Sequence, residues 1–209
     1  YAFDKRTGEN LWGGATPGEM PQDNSFSFPI TFERDGRALL AAETGCGHLA
    51  VLDVATGDPV WRFRIGSGAN SSPVLVGDAL IGVHRNENFD DSSIGRLIAV
   101  NLGALAKSGE KMIEPKDAER WRVDIEAFSS SPVVAGSRLY LTDEDGELAC
   151  VDVESGALLW KHKLAPDQVH ASPLWAEGKL YVPMNNGGFF IVQPGDSGAL
   201  HLASGGSIR

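Results

Sequence analysis

Apolar and polar positions alternate along this chain in short runs, and the runs break at Gly, Asp or Pro. The clearest pairs of runs are V-L-V-G-D-A-L-I-G-V from Val74, V-V-A-G-S-R-L-Y-L-T from Val133 and L-W-A-E-G-K-L-Y-V-P from Leu174. Alternation of this kind predicts strands with one face on a core, and a Gly-containing break between two runs predicts a hairpin. Each hairpin follows a Pro-ended phrase: F-P at Phe28–Pro29, S-S-P at Ser71–Pro73, S-S-P at Ser130–Pro132 and A-S-P at Ala171–Pro173. Pro suits a strand start because its missing N–H need not enter the ladder. No stretch has a convincing helical period. Leu102 to Glu119 comes nearest, and an inserted loop is expected there.

Between the hairpins a second phrase recurs. Residues 2–12 are A-F-D-K-R-T-G-E-N-L-W, residues 51–61 are V-L-D-V-A-T-G-D-P-V-W, and residues 150–160 are C-V-D-V-E-S-G-A-L-L-W. Asp, Gly and Trp keep their spacing in Asp4–Gly8–Trp12, Asp53–Gly57–Trp61 and Asp152–Gly156–Trp160. A stretched copy begins at Ala99 and delays its Trp to Trp121, and a worn copy runs from Val192 through Gly195 and Gly198 to Leu202. Asp accepts hydrogen bonds from the backbone of the turn that follows it. Gly supplies a positive φ, and Trp supplies a large apolar plate with one N–H to satisfy. These roles are structural, so no catalytic residue is assigned to the repeat.

Four strands thus recur per period, named here A (from the Pro phrase), B, C (ending at the Asp) and D (starting near the Trp). Four strands in a period of about 40–50 residues predict an all-β fold, a β-propeller of four-stranded antiparallel blades. The chain is read as one domain over residues 1–209, with about four and a half blades. Their expected bounds are 1–14 (strands C and D alone), 26–66, 70–127, 129–165 and 170–209. So few blades do not easily close a ring, and a place within a seven- or eight-bladed propeller is expected.

Composition narrows the function classes. A net charge of −10 and a pI near 4.9 argue against nucleic acid, whose phosphates call for clustered Lys and Arg. No apolar run approaches a membrane span. Cys46 and Cys150 are the two cysteines, a spacing that is neither a disulfide framework nor a zinc pattern. The sequence starts at Tyr1 inside a repeat, so a processed product or a piece of a longer chain is expected.

Blade geometry separates two faces. The A-to-B and C-to-D turns are tight, except for the charged insertion from Gly103 to Arg120, an interaction loop or a tolerated one. The other face, built by B-to-C and D-to-A loops, is chemically richer, and loops on a rigid scaffold are where binding resides. It carries the candidates His48, Asn86, Asp143, Asp145, His170 and Asn185. Asn86, Glu87, Asp90 and Asp91 in N-E-N-F-D-D offer oxygen ligands of the kind Ca²⁺ takes, without a calcium loop's fixed spacing. Asp143 and Asp145 suit a metal or acid/base pair, or an ordinary D-G turn. Cys46 beside His48 suits a nucleophile or a metal ligand, although no partners are placed. His170 points into the channel or lies at the surface. Trp175 is a stacking platform or core.

The A-x-D-x-x-T-G-x-x-x-W phrase at Ala2 to Trp12 resembles the tryptophan-docking motif of the quinoprotein-type, or PQQ-like, β-propellers (PQQ is pyrroloquinoline quinone). That family includes quinoprotein dehydrogenases, which use PQQ, and non-catalytic BamB-like repeat proteins, to which this sequence is closer. The resemblance covers nearly the whole chain and is specific for the fold, not for the cofactor. It implies for the enzymes a vicinal Cys-Cys disulfide, carboxylate and Asn metal ligands, an Asp base and an aromatic floor. None of these is matched residue for residue. The expectation is therefore a non-catalytic binding or scaffold module, periplasmic or otherwise extracytoplasmic, with no cofactor. Its partners, proteins or a small ligand, would bind on the loop-rich face. The alternative is a fragment of a PQQ- and Ca²⁺-dependent alcohol or sugar dehydrogenase. A third expectation is a protein-binding propeller that pairs through an exposed blade edge, which the incomplete first blade leaves unless further chain covers it.

Overall fold

The computed structural model describes residues 1–13, 25–66, 68–84, 95–105, 112–113, 118–127, 129–166 and 170–205. The alternating runs form strands in five sheets. The first has two strands, β1 (Ala2–Phe3) and β2 (Asn10–Trp12). The second contains β3 (Ile30–Arg34), β4 (Arg37–Glu43), β5 (His48–Asp53) and β6 (Pro59–Arg64). The third contains β7 (Val74–Val76), β8 (Ala79–His84), β9 (Arg96–Asn101) and β11 (Glu119–Asp124). The fourth contains β12 (Val133–Ala135), β13 (Arg138–Thr142), β14 (Glu147–Asp152) and β15 (Leu158–Lys163). The fifth contains β16 (Leu174–Ala176), β17 (Lys179–Pro183), β18 (Phe189–Gly195) and β19 (Gly198–Gly205). In the last four sheets consecutive strands pair antiparallel, in the A-B-C-D order.

The described residues include part of the expected insertion. It opens with the helical turn α1 (Leu102–Leu105), and β10 (Met112–Ile113) runs parallel to Arg62–Phe63 of β6. The insertion of the third sheet thus covers the outer edge of the second, an edge that would otherwise be open to strand addition.

Strand alternation sends one set of residues to each neighbouring sheet, and three cores lie between sheets rather than within one. Leu39, Ala41, Leu49 and Val51 of the second sheet meet Leu80, Ile98 and Val100 of the third. The opposite face of the third, with Ala79, Ile81 and Val83, meets Leu139, Leu141 and Val151 of the fourth. Tyr140, Leu148 and Cys150 then meet Leu180, Val182 and Val192 of the fifth.

The repeated Trp residues sit at these junctions. Trp12 Nε1 donates to the Val54 carbonyl at 2.9 Å, Trp121 Nε1 to the Val153 carbonyl at 2.9 Å, and Trp160 Nε1 to the Gly195 carbonyl at 3.0 Å. Val54 and Val153 lie in the turn just after strand C of the next sheet, and Gly195 is the last residue of that strand in the fifth. The Asp of the phrase shapes that turn: Asp53 Oδ1 accepts from the Ala55 N–H at 2.9 Å, and Asp152 Oδ1 accepts from the Ser155 N–H at 2.9 Å. Gly57 and Gly156 have φ of 76° and 72°, and a Cβ on either would overlap the ring of Trp12 or Trp121. Their glycine is required twice, for the turn and for the indole above it.

The Ser-Pro phrase makes a second chain of contacts, along the inner strands. The Phe28 N–H donates to Ser72 Oγ at 2.8 Å, the Ser72 N–H to Ser131 Oγ at 2.9 Å, and the Ser131 N–H to Ser172 Oγ at 2.9 Å. Each blade thus offers a hydroxyl to the same backbone position of the blade before it. Ser131→Ala removes one acceptor and leaves the partly buried Ser72 N–H without it. A loss of about 1–2 kcal/mol is expected in a urea melt, with Ser131→Thr losing less.

Candidate functional site

The loop-rich face is where buried polar side chains collect. The turn after β4 holds Thr44, Cys46 and His48 together. Thr44 Oγ1 lies 3.1 Å from Cys46 Sγ, and Cys46 Sγ lies 3.5 Å from His48 Nδ1. The His48 N–H donates to Thr44 Oγ1 at 3.1 Å. Cys46 and His48 are therefore neighbours, as their spacing suggested, but both are sealed inside the turn, at 4% and 0% exposure. A buried thiol packed in this way braces a turn and does not present a nucleophile.

Asp143 stands at the equivalent turn of the fourth sheet and is also buried. Its Oδ1 accepts from the Glu147 N–H at 2.8 Å and its Oδ2 from Lys161 Nζ at 2.7 Å. Glu147 lies 3.3 Å from the same ammonium. Burial by itself lowers the Lys161 pKa, but the hydrogen bond and charge of Asp143, joined by Glu147, outweigh it and raise the value. The exposed Asp145 is not drawn into this pair, although its carbonyl accepts from Lys163 Nζ at 2.6 Å. The carboxylate of Asp143 is thus committed to a lysine and a backbone amide.

His170 and Asn185 come together between the fourth and fifth sheets. The His170 N–H donates to Asn185 Oδ1 at 3.2 Å, and Ser129 Oγ lies 3.2 Å from both His170 Nδ1 and the His170 carbonyl. His170 and Asn185 are exposed. Asn86, Glu87, Asp90 and Asp91 lie outside the described residues. Among the described residues no group of three or more His, Cys, Asp and Glu side chains is placed to hold a metal ion. Trp175 stacks on Tyr140 with ring centroids 6.1 Å apart and planes 5° apart, against the core between the fourth and fifth sheets. Burial, with smaller contributions from Cys150, pushes the Tyr140 hydroxyl up to about 12.

Glu43, which the sequence places on the loop-rich face without a role, is a buried acid. Glu43 ends β4 with 1% exposure, wedged against the third sheet. Its Oε1 accepts from the Val83 N–H at 2.8 Å, and its Oε2 meets no hydrogen-bond partner among the described residues. Space for the carboxyl comes from Gly82, where a Cβ would stand 2.6 Å from Oε1. Burial raises the Glu43 pKa well above the usual carboxylate range, and the Val83 and Ser71 N–H groups offset only part of that.

Four-stranded blades joined through such inter-sheet seams define a β-propeller fold, and the family match places it in the PQQ-like class. The chain belongs to the family described as outer membrane protein assembly factor BamB, whose sequence profile it matches over residues 1–104 and 111–199. Among curated relatives, polyvinylalcohol dehydrogenase of Sphingopyxis sp. (strain 113P3) is 26% identical over 199 residues, covering 85% of this chain and 27% of that protein. Outer membrane protein assembly factor BamB of Escherichia coli (strain K12) is 20% identical over 146 residues, covering 70% of this chain and 32% of that protein. This chain therefore spans less than a third of the length of these relatives. Among solved structures, BamB from Moraxella catarrhalis superposes with a TM-score of 0.69 at 17% identity, over 98% of this chain and 57% of that one. Quinohemoprotein alcohol dehydrogenase from Comamonas testosteroni gives 0.65 at 14% identity, over 99% and 40%. At such identities the likeness establishes the fold. Among the described residues no helix is long and apolar enough to cross a membrane.

Proposed function

We propose that this chain is part of a non-catalytic, BamB-like propeller that works as an extracytoplasmic binding or scaffold module. Protein partners, or a small ligand, are held on the face built by the β4–β5, β13–β14 and β17–β18 turns and the D-to-A loops. The repeated Trp residues serve as docking plates between blades. The observation that carries this reading is Asp143, the buried carboxylate of that face, whose oxygens are both engaged by Lys161 and the Glu147 N–H. Such a carboxylate, tied by one oxygen to the backbone of its own turn and by the other to an ammonium, positions a loop. The cysteines add support, since Cys46 and Cys150 are separate, buried and unbridged. The family resemblance to BamB supports both the protein partners and the extracytoplasmic setting.

A second reading, a fragment of a PQQ- and Ca²⁺-dependent dehydrogenase, is favoured by the similarity to polyvinylalcohol dehydrogenase. A thermal melt with PQQ and Ca²⁺ separates the two. A ligand that binds only the native state raises its stability by about 2.7 kcal/mol at a hundredfold excess over Kd. The non-catalytic reading expects an unchanged midpoint with PQQ plus Ca²⁺. A saturable rise accompanied by bound-quinone absorbance overturns it. The arm with Ca²⁺ alone reports separately on Asn86, Glu87, Asp90 and Asp91.

A further inference from the structure

The β17–β18 turn, Met184 to Gly188, is built like the β4–β5 and β13–β14 turns. In each, the N–H of the first residue (Thr44, Asp143 or Met184) donates to the carbonyl of the fifth (His48, Glu147 or Gly188). The fourth residue, Gly47, Gly146 or Gly187, has φ of 76°, 76° or 81° and donates back to the first carbonyl. The third position is Cys46, then Asp145, then Asn186. Asn186–Gly187 is the one Asn-Gly step in the sequence. Such a step is labile: the main-chain nitrogen can close a cyclic imide on the side-chain carbon, and glycine brings no Cβ to hinder it.

The first residue of the turn decides how the step is held. Thr44 Oγ1 accepts from the His48 N–H at 3.1 Å, and Asp143 Oδ1 accepts from the Glu147 N–H at 2.8 Å. Met184 has no oxygen to offer at this place. The equivalent Gly188 N–H donates instead to Asn186 Oδ1, at 2.8 Å. That oxygen gains negative charge when a nucleophile attacks Asn186 Cγ, so the donor favours the attack. Gly188 makes room for the seat, since a Cβ there would stand 2.9 Å from Asn186 Oδ1. Asn186 is exposed, which lets ammonia leave and water enter. One contact opposes: the Gly187 N–H donates to the Met184 carbonyl at 3.0 Å and must be released first. The fold slows the reaction without stopping it.

We infer that Asn186 is a site of spontaneous deamidation, which puts a new carboxylate into the β17–β18 turn. The Gly187 nitrogen loses its proton and bonds to Asn186 Cγ. The Cγ–Nδ2 bond breaks, and ammonia leaves with a proton. Water then opens the imide at either of its two carbonyls. Cleavage of the bond to Cγ gives aspartate in the original backbone, and cleavage of the bond to the main-chain carbon gives isoaspartate. Ammonia is exchanged for water, and nothing is oxidised or reduced. Aspartate suits the turn, because Asp145 already holds this place in the fourth sheet. Isoaspartate adds a main-chain carbon to a turn that Met184 and Gly188 close at 2.9 Å, beside the Asn185 Oδ1 that holds the His170 N–H. The modification stands whether or not the loop-rich face holds a partner.

The test incubates the folded 209-residue protein in mildly alkaline buffer, where more of the attacking nitrogen is ionised, and maps digests by mass spectrometry. Conversion is expected at Asn186 ahead of Asn10, Asn70, Asn101 and Asn185, with isoaspartate detected by enzymatic methylation. The urea-unfolded protein is expected to convert faster at Asn186, because the bond to the Met184 carbonyl is gone. Asn186→Gln is expected to slow conversion at this position by at least about tenfold, since the longer side chain is less well placed for ring closure. Gly188→Ala, which crowds Asn186 Oδ1 out of its seat, is expected to slow the folded protein by about tenfold and the unfolded protein hardly at all. Circular dichroism verifies that both variants are folded. Absence of conversion at Asn186 in the folded protein overturns the inference, as does earlier conversion at any of the other four positions. Equal rates for folded wild type and folded Gly188→Ala overturn the role given to the Gly188 N–H.

Discussion

Trp121→Ala lowers the unfolding free energy by about 3–5 kcal/mol in a urea melt, the cost expected when a large buried aromatic leaves a cavity. Trp121 is 8% exposed, fills the seam between the third and fourth sheets and holds the Val153 carbonyl. The variant loses the plate and strands that carbonyl. The same seam fails from its other side. Gly156→Ala combines a strained positive φ with a methyl placed 2.6 Å from the Trp121 ring. Gly8→Ala is the internal control: its φ of 74° is nearly the same, but nothing lies within 4 Å of the added methyl. Gly8→Ala is expected to cost about 1–2 kcal/mol, the backbone strain alone, and Gly156→Ala clearly more. Equal losses at the two positions would show that the indole seat contributes nothing to the glycine requirement.

The second large effect is a dependence on pH set by Glu43. Its folded pKa is raised, chiefly by burial. The fold therefore binds that proton more tightly than the unfolded chain does. The contribution is complete below the unfolded value, near 4.5, and is lost as pH rises through the folded value. Between the two, stability falls by roughly 1.4 kcal/mol per pH unit from this group. Glu43→Gln keeps an oxygen for the Val83 N–H, fits over Gly82 and carries no proton to lose. The expected result is a variant close to wild type near pH 4.5 and progressively more stable than wild type as pH rises. At about 2–4 °C per kcal/mol for a chain of this size, a thermal melt across that range resolves the gap. A constant difference at all pH values would show that Glu43 titrates normally.

The fold was legible because Asp, Gly and Trp recur at fixed spacing in three copies, and the Ser-Pro phrase marks the intervening strand starts. Their contact partners were not, since a repeat reveals a residue's role within its own blade and leaves its neighbour unstated. The indole of Trp12 sits over the turn that holds Gly57, and Ser131 accepts from Ser72, a blade away in both cases. The Ser at the same place in successive Pro phrases was the available signal for the second chain of contacts. Site residues fared differently. The proximity of Cys46 and His48 followed from their spacing, but their complete burial depends on how the turn folds inward. Lys161 was overlooked as the partner of Asp143 because it lies on another strand, opposite Ala149. Glu43 falls on the loop-rich face by sequence, but its burial was not legible for a plainer reason: the B strands end in Glu43, His84, Thr142 and Pro183, and a position that differs in every blade carries no pattern.

The central claim is that this propeller works by holding partners on its loop-rich face, and site-specific photo-crosslinking tests it most directly. A photoreactive amino acid in place of His170 samples that face, and one in place of Glu177 samples the tight-turn face of the same blade. Both native residues are exposed, so neither replacement disturbs the core. In the protein's native compartment, discrete protein adducts are predicted from position 170 and none from position 177. Adducts from position 177 alone, or equally from both, would contradict the assignment.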